Sequence, residues 1–397
     1  MGTAEDRAPA AAVRHASWIE LFFDLVVVAG VGQLAHVLRG GPDAADVGLY
    51  VLLYLSFWTA WACFTVYGNV AGDRTRTPSM LAAMFGLAVM MAAVAGVREE
   101  HARAFALAYV LVRLLADRVW GRGQVVVDWP VAQVTVGIVP WIVSLWAHSP
   151  GRYWLWAAGL ALDLLIMFTV SGSRLMADSR RRVERLLRRR RITPDEAGRL
   201  HAVRSEPAHL AERLGLYVII VLGEGIILVI SAISELHWDR AVGALGVADF
   251  LLLVGIWSLS LLYGFAGVPH LRAGRLPPRI AMALHCLATG AVAALVAGLG
   301  AAAEHVHDDL PTGVRWLLCG SAAGYFAVGA VAGLATGAQR SWLLGRALPS
   351  TLLPLLLGLF GTHLGVVGLT GGLIAAVYWQ VVYESGLRPS RVTAPGA

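Results

Sequence analysis

Glu20 and Asp24 stand four residues apart in an otherwise apolar stretch, so a helix puts both carboxylates on one face, where they repel unless a cation or a shared proton joins them. Arg113 and Asp117 repeat that spacing, Asp163 interrupts a later apolar run, and Glu224 lies in Leu222-Gly223-Glu224-Gly225. An ionised side chain at the centre of a bilayer costs ~2.5–3.5 kcal/mol on insertion scales, so each of these residues implies a partner or a water-filled cavity. Together they predict a buried polar site in which Glu20, Asp24, Asp163 and Glu224 handle a proton, a cation or a polar solute, with Arg113 as counter-charge. The structural alternative is a set of ion pairs that only fixes helix register. Gly223 and Gly225 would let another backbone come close to Glu224 or let the helix unwind there.

Other chemistries find less support. All 32 basic residues are arginine, so no side-chain amine is present to form a Schiff base. His36, His148, His285 and His363 are scattered without ligand spacing, and neither a metal nor any other cofactor is expected. Glu304 to Asp309 reads as a solvated acidic loop. Cys63, Cys286 and Cys319 fall singly inside apolar runs, as small core residues rather than disulfide partners. Nucleotide and hydrolase fingerprints are absent from the sequence.

The elements that must position the acids are membrane helices. The chain of 397 residues is 57% hydrophobic and 15% charged, with a mean hydropathy of +0.66, which excludes an ordinary soluble enzyme and a disordered protein. Its apolar residues gather into runs of about 20, the length that crosses a bilayer as helix. About twelve spans are predicted in an all-α polytopic bundle of two six-helix halves, with ten or eleven the alternative if a short or fused segment does not cross. The first six run over Trp18–Leu38, Val47–Tyr67, Met80–Val97, Ala104–Val119, Val131–Trp146 and Tyr153–Ser171. The second six run over Gly215–Ile233, Val247–Phe265, Ile280–Ala301, Val314–Leu334, Trp342–Phe360 and Leu364–Val382. The fourth is the weakest, because it carries Arg113, Asp117 and Arg118. Trp18, Trp141, Trp154 and Trp316 are expected as interfacial anchors.

Charge sets the orientation. With the N-terminus inside, the cytoplasmic pieces carry +13 and the outer loops −4, the asymmetry expected when arginine is retained on the cytoplasmic side. The divisions expected are a cytoplasmic arm at 1–17 without a cleavable signal, a first half at 18–171, an arginine-rich loop at 172–213, a second half at 214–383 and a cytoplasmic tail at 384–397. A shift of about 200 residues superposes Asp24 on Glu224 and suggests a parallel repeat of the two halves. The loop holds 12 arginines against 6 acids, with Val183, Leu186 and Leu187 at helical spacing, so a basic amphipathic helix on anionic lipid headgroups is predicted. The bilayer and those headgroups are the expected partners, together with a proton or small polar solute. Nucleic acid is not expected, and a homo-oligomer is left open. Thr193-Pro194-Asp195-Glu196 has capping-box spacing for a further helix.

The segment Ser17-Trp18-Ile19-Glu20-Leu21-Phe22-Phe23-Asp24-Leu25-Val26, followed by Gln33-Leu34, resembles the first helix of the low temperature requirement A (LtrA) family of bacterial membrane proteins. His209, Glu212-Arg213, Gly215-Leu216, Ile219-Ile220 and Leu222-Gly223-Glu224 resemble that family's second characteristic block. Trp58, Trp61, Tyr67, Asn69, Tyr109, Arg113 and Asp163 fall where the family tends to carry such residues. Gly225 departs from the small hydroxyl residue expected there, and Gly68 from an alanine. The resemblance implies an integral membrane protein associated with growth at low temperature and no established molecular activity.

Three functions follow as expectations. The first is a secondary transporter or permease-like protein working through the acid and arginine cluster, with Glu212 and Arg213 holding the geometry of the cytoplasmic mouth of the seventh helix. The second is an intramembrane enzyme acting on a lipid or isoprenoid through Glu20 and Asp24. The third is a structural or regulatory membrane protein acting through its arginine loop. A major-facilitator protein is a rival at the level of fold, but Gly72 to Arg76 lacks that superfamily's loop signature.

Overall fold

The structure is a computed structural model that describes residues 15–120, 124–188 and 201–387. Among these residues, ten helices are long and apolar enough to cross a membrane. The first half contains α1 (Trp18–Gln33), α2 (Ala44–Ala71), α3 (Thr77–Val94), α4 (Ala102–Arg118), the short α5 (Ile138–Val143) and α6 (Gly151–Thr169). The polar α7 (Gly172–Arg188) follows. The second half contains α8 (Pro207–Ser234), α9 (Arg240–Trp257), α10 (Pro278–Ala303), α11 (Thr312–Ala335), α12 (Leu348–Phe360) and α13 (Val366–Leu387). A π-helical turn, Leu343–Ala347, leads into α12.

Helix ends follow local chemistry. Ser17 and Glu20 form a capping box on α1. Asp43 caps α2 by accepting from the amides of Ala45 and Asp46 at 2.8 and 2.9 Å. The Asp46 and Ala45 amides hold the Asp43 carboxyl below the usual carboxylate range. Asp239 caps α9 in the same way through the amide of Val242.

Two expected spans take a different form. The fourth is the helix α4, which carries Arg113, Asp117 and Arg118, and it falls outside the ten. The fifth is not a continuous helix. Gln124–Val126 forms strand β1, paired in parallel with β2 (His201–Val203), and only the six residues of α5 are α-helical before Ser144. β1 lies beside the approach to α8, whereas the Tyr153 hydroxyl donates to Val97 O at 3.4 Å at the far end of α3. The chain between them therefore travels from one end of α4 to the other with little regular helix. Trp141 in this stretch is fully buried, stacked on Trp156 at 4.9 Å, and is no interfacial anchor. Trp18 and Trp154 are exposed as anchors should be.

α7 carries the arginines of the central loop as far as Arg188, and the helix expected from Thr193 lies outside the described residues. The halves meet along α1 and α2 on one side and α8 and α10 on the other. The Tyr50 hydroxyl donates to Gly290 O at 2.8 Å and that of Tyr54 to Cys286 O at 3.1 Å. Cys63, Cys286 and Cys319 are buried and unpaired. Phe85, Leu111, Ile230 and Phe360 stay exposed, as lipid-facing side chains do.

After α9 a π-helical turn, Ser258–Leu262, feeds a hairpin of β3 (Gly264–Phe265) and β4 (Val268–Pro269). Ala266 and Gly267 both have positive φ, 53° and 73°, the requirement of a two-residue type I′ turn. A Cβ on Gly267 would stand 2.5 Å from Val218 Cγ2 and 3.2 Å from His285 Cδ2, so the turn wedges against α8 and α10. Gly267→Ala combines that overlap with a left-handed alanine, itself worth roughly 1–2 kcal/mol. The variant is expected to unfold at a lower temperature in detergent, and an unchanged melting curve would show that the wedge is dispensable.

A buried ion-pair site joining the two halves

Three helices each present polar residues one turn apart. Glu20 and Asp24 line α1, Trp61, Thr65 and Asn69 line α2, and His209 and Arg213 line α8. The i, i+4 spacing stacks each set on one helix face, and the three faces meet. All seven residues are buried.

Arg213 stands at the junction. Its Nε donates to Asp24 Oδ2 at 2.9 Å and its Nη2 to Asp24 Oδ1 at 2.5 Å, the bidentate geometry that matches a guanidinium to a carboxylate. Its Nη1 lies 3.1 Å from Glu20 Oε1. Asp24 Oδ1 also accepts from the Trp61 indole N–H at 2.7 Å. Glu20 Oε2 accepts from the Ser17 amide at 2.9 Å and the Ser17 hydroxyl at 2.8 Å. One carboxylate thus caps its own helix while also facing the arginine.

The tautomer of His209 follows from its neighbours. The Glu206 amide donates to Asn69 Oδ1 at 2.6 Å, which orients the amide of Asn69 so that its Nδ2 faces His209 Nδ1 at 3.0 Å. His209 Nδ1 therefore accepts, and Nε2 carries the hydrogen that points to Glu20 Oε2, 3.5 Å away. Asn69 Nδ2 reaches Glu206 O as well, at 3.1 Å, tying the start of α8 to α2.

Arg113 and Asp163 form a separate site. Arg113 Nη1 donates to Asp163 Oδ2 at 2.7 Å, and its Nη2 donates to Val131 O at 3.0 Å. The guanidinium thus satisfies a carbonyl in the stretch where regular helix is missing, which gives it an architectural task. It is not the counter-charge of Asp24, a place that Arg213 occupies. Asp117 shares the helix of Arg113 but not its buried face.

Glu224 joins neither group. Among the described residues its carboxylate has no ion pair and no hydrogen bond, and it is half-buried. It rests on Gly32 of α1, where an added methyl would overlap the carboxylate and stand 2.7 Å from its Cδ. A cavity of about 10 Å³ beside it, bordered by Val28, Gly32 and Val296, has room for one water. A larger polar vestibule of about 100 Å³ lies outward of it, and the two share Ala35 and Leu228. Arg39, Ser231, Glu235 and Glu304 line that vestibule. The glycines beside Glu224 act differently from expectation: α8 runs unbroken from Pro207 to Ser234, and a Cβ on Gly223 would meet nothing within 4 Å. A Cβ on Gly225 would meet Val296 Cγ2 at 2.7 Å. The glycine that Glu224 needs is Gly32, on another helix.

Glu212 sits at the edge, its Oε1 3.2 Å from His15 Nδ1. Sequence reasoning passed over Asp249 in α9, which is fully buried with both carboxylate oxygens lacking a hydrogen-bond partner among the described residues. Its signal was the same one that flagged Asp163, a lone acid inside an apolar run. Among the described residues, no group of three or more His, Cys, Asp or Glu side chains could hold a metal ion.

Apolar helices closed around buried ion pairs define a polytopic integral membrane protein. The family model for the bacterial low temperature requirement A protein (LtrA) matches residues 15–382, and the chain belongs to that family. No curated protein and no solved structure matches the chain.

Removing one partner of a buried pair costs about 3–5 kcal/mol, because the other charge stays behind uncompensated. Arg213→Ala is therefore expected to reduce folded yield and melting temperature sharply. Asp24→Asn combined with Arg213→Gln should recover part of the loss. Equal stability of Arg213→Ala and the parent protein in thermal denaturation would remove the structural role assigned to the pair.

Proposed function

We propose that the protein is a secondary transporter or permease-like protein of the bacterial inner membrane in which Glu224 exchanges a proton or cation with the outer side. One observation carries this reading: a carboxylate within a membrane helix that no cation or hydrogen bond satisfies among the described residues, with a water-sized cavity and a polar vestibule leading outward from it. Glu235 and Glu304 against the single Arg39 leave the lining acidic, which favours cations over anions at that mouth. Asp24 and Asp163 serve the fold through Arg213 and Arg113, and the fully buried Asp249 borders neither the small cavity nor the vestibule, which leaves Glu224 as the exchanging group. The same pairing counts against an intramembrane enzyme, because the carboxylates Glu20 and Asp24 are already engaged by Arg213, Trp61 and Ser17.

The chain is inferred to cross twelve times, with both termini cytoplasmic. α4 forms the fourth crossing and the stretch from Val127 to Ser144 the fifth, its exposed carbonyls met in part by Arg113. Support comes from the surplus of arginine in alternate loops and from the passage of that stretch along the length of α4. With the native cysteines replaced, Cys introduced at Ser149 should react with a membrane-impermeant maleimide added outside. Cys introduced at Asp73 should react only after the cytoplasmic face is opened. Protection of both positions from outside would remove the fifth crossing.

In proteoliposomes loaded with a pH-sensitive dye, a transported solute should dissipate an imposed pH gradient, and Glu224→Gln should abolish the coupled proton movement while leaving the protein folded. Sugars, amino acids and organic cations presented in turn provide the screen. A gradient-coupled solute flux that Glu224→Gln leaves unchanged would overturn the assignment of Glu224.

A further inference from the structure

An apolar groove follows the seam between the two halves, walled by α2 and α6 on one side and by α10 and α11 on the other. Two adjoining cavities make it up, one of about 480 Å³ and one of about 270 Å³, and they share Leu55, Cys286 and Leu287. Together they reach the ~300–1,000 Å³ of small-molecule sites. Val51, Leu164, Phe168, Leu287 and Trp316 line the groove and are exposed, so it opens sideways to the bilayer. Tyr54, Trp58, Trp129 and Leu160 form a buried floor.

The polar groups of the lining are already engaged. The hydroxyls of Tyr50 and Tyr54 donate to carbonyls of α10 and that of Ser321 to Leu317 O, while Arg113 holds the Asp163 carboxylate at 2.7 Å. Two glycines of α11 leave space that the protein itself does not fill. A Cβ on Gly320 would meet nothing within 4 Å, and one on Gly324 would meet only Ala291 Cβ, at 3.9 Å. Gly313 acts in the opposite way. A Cβ there would stand 2.6 Å from Gly41 C and from Pro42 O, so the loop before α2 packs on the first turn of α11 and closes that end of the groove.

A cation stands at the other end. Arg279, at the start of α10, donates through Nη1 to Met167 O and Val170 O, both at 3.3 Å, and Met167 lines the smaller cavity. Those two carbonyls are its partners among the described residues, and no carboxylate pairs with it there. Length then restricts the guest. The groove follows α2 from Ala44 to Thr59, ~22 Å at the ~1.5 Å rise of a helix. One leaflet of a ~30 Å hydrocarbon core is only ~15 Å deep.

We propose that the groove holds the chain of a polyisoprenyl phosphate whose phosphate lies at Arg279. A sideways opening in hydrocarbon admits an apolar chain, and an acyl chain confined to one leaflet would leave the closed end empty. A long isoprenoid chain continues past the midplane and fills it. The unopposed guanidinium selects a phosphate over a free alcohol, because its planar fork matches phosphate oxygens. The groove shares no lining residue with the Glu224 cavity or its vestibule and does not depend on the transport reading.

Full-length protein in detergent is mixed with undecaprenyl phosphate, and retained lipid is counted by native mass spectrometry with phosphatidylglycerol or undecaprenol as competitor. One retained undecaprenyl phosphate that both competitors displace poorly is expected. Gly320→Leu fills open space with a better helix former, so it should keep the parent melting temperature while weakening retention at least tenfold. Gly371→Leu, equally unhindered but on α13 outside the groove, leaves retention unchanged. Arg279→Gln should abolish the preference for undecaprenyl phosphate over undecaprenol. The proposal is overturned if the parent protein retains no undecaprenyl phosphate, if either competitor displaces it as readily as undecaprenyl phosphate itself, or if Gly320→Leu retains it like the parent. A dimer that Gly320→Leu dissociates would assign the face to a second copy instead, and a preference that survives Arg279→Gln would overturn the position of the phosphate.

Discussion

The guanidinium of Arg213, buried between Asp24 and Glu20, is the interaction on which the remaining architecture depends. It joins residues 189 positions apart and so ties the first helix of one half to the first helix of the other. Taking three ionised groups out of water is unfavourable, and only near-complete hydrogen bonding offsets it. That requirement explains why Trp61 donates to Asp24, why Ser17 donates twice to Glu20, and why Asn69 turns His209 toward the same carboxylate. Each added contact comes from a residue one helical turn from another member, so the pair fixes the register of α1, α2 and α8 at once.

Membrane-embedded charge serves two different ends here. In the first half Glu20, Asp24 and Asp163 each meet an arginine, and Arg113 also meets a main-chain carbonyl where helix is lacking. In the second half Glu224 and Asp249 meet none among the described residues. Burial and small neighbours stand in the place of counter-ions there: Gly32 lies beneath Glu224, and Asp249 is fully buried. A carboxylate without a fixed cation remains able to gain and lose a proton or ion without dismantling the fold, which Asp24 cannot do.

Much of this was legible in the sequence, and the failures have physical causes. Span lengths, the weak fourth span, the amphipathic start of the central loop and the polar residues inside apolar runs depend on local composition and on a 3.6-residue period. Partner choice does not. Arg213 reads as a mouth residue because it borders a polar loop, yet the packing of α8 on α1 sets its guanidinium against Asp24 and Glu20. Arg113 reads as the cation for Asp24 because it is the arginine nearest the middle of a span, and only packing reveals that Asp163 and Val131 claim it. The fifth span has the hydropathy of a helix, but Pro130, Pro140, Gly137 and a run of β-branched valines leave little helix in it. Gly32 could not be singled out, because its importance lies in a carboxylate almost two hundred residues away.

The Arg213 lock also limits which parts of the molecule can move. Separating α1 from α8 would strand a guanidinium and two carboxylates, a penalty of about 3–5 kcal/mol that no helix contact of ordinary strength replaces. α1 and α8 therefore move together, carrying Glu224 and Gly32 with them, and Tyr50 and Tyr54 join α10 to the same body through α2. Any change in access to Glu224 must then come from elements that border the vestibule without sharing the lock. The turns that follow α8 and α10 begin at Glu235 and Glu304, lie beyond the last tied residue and meet that condition.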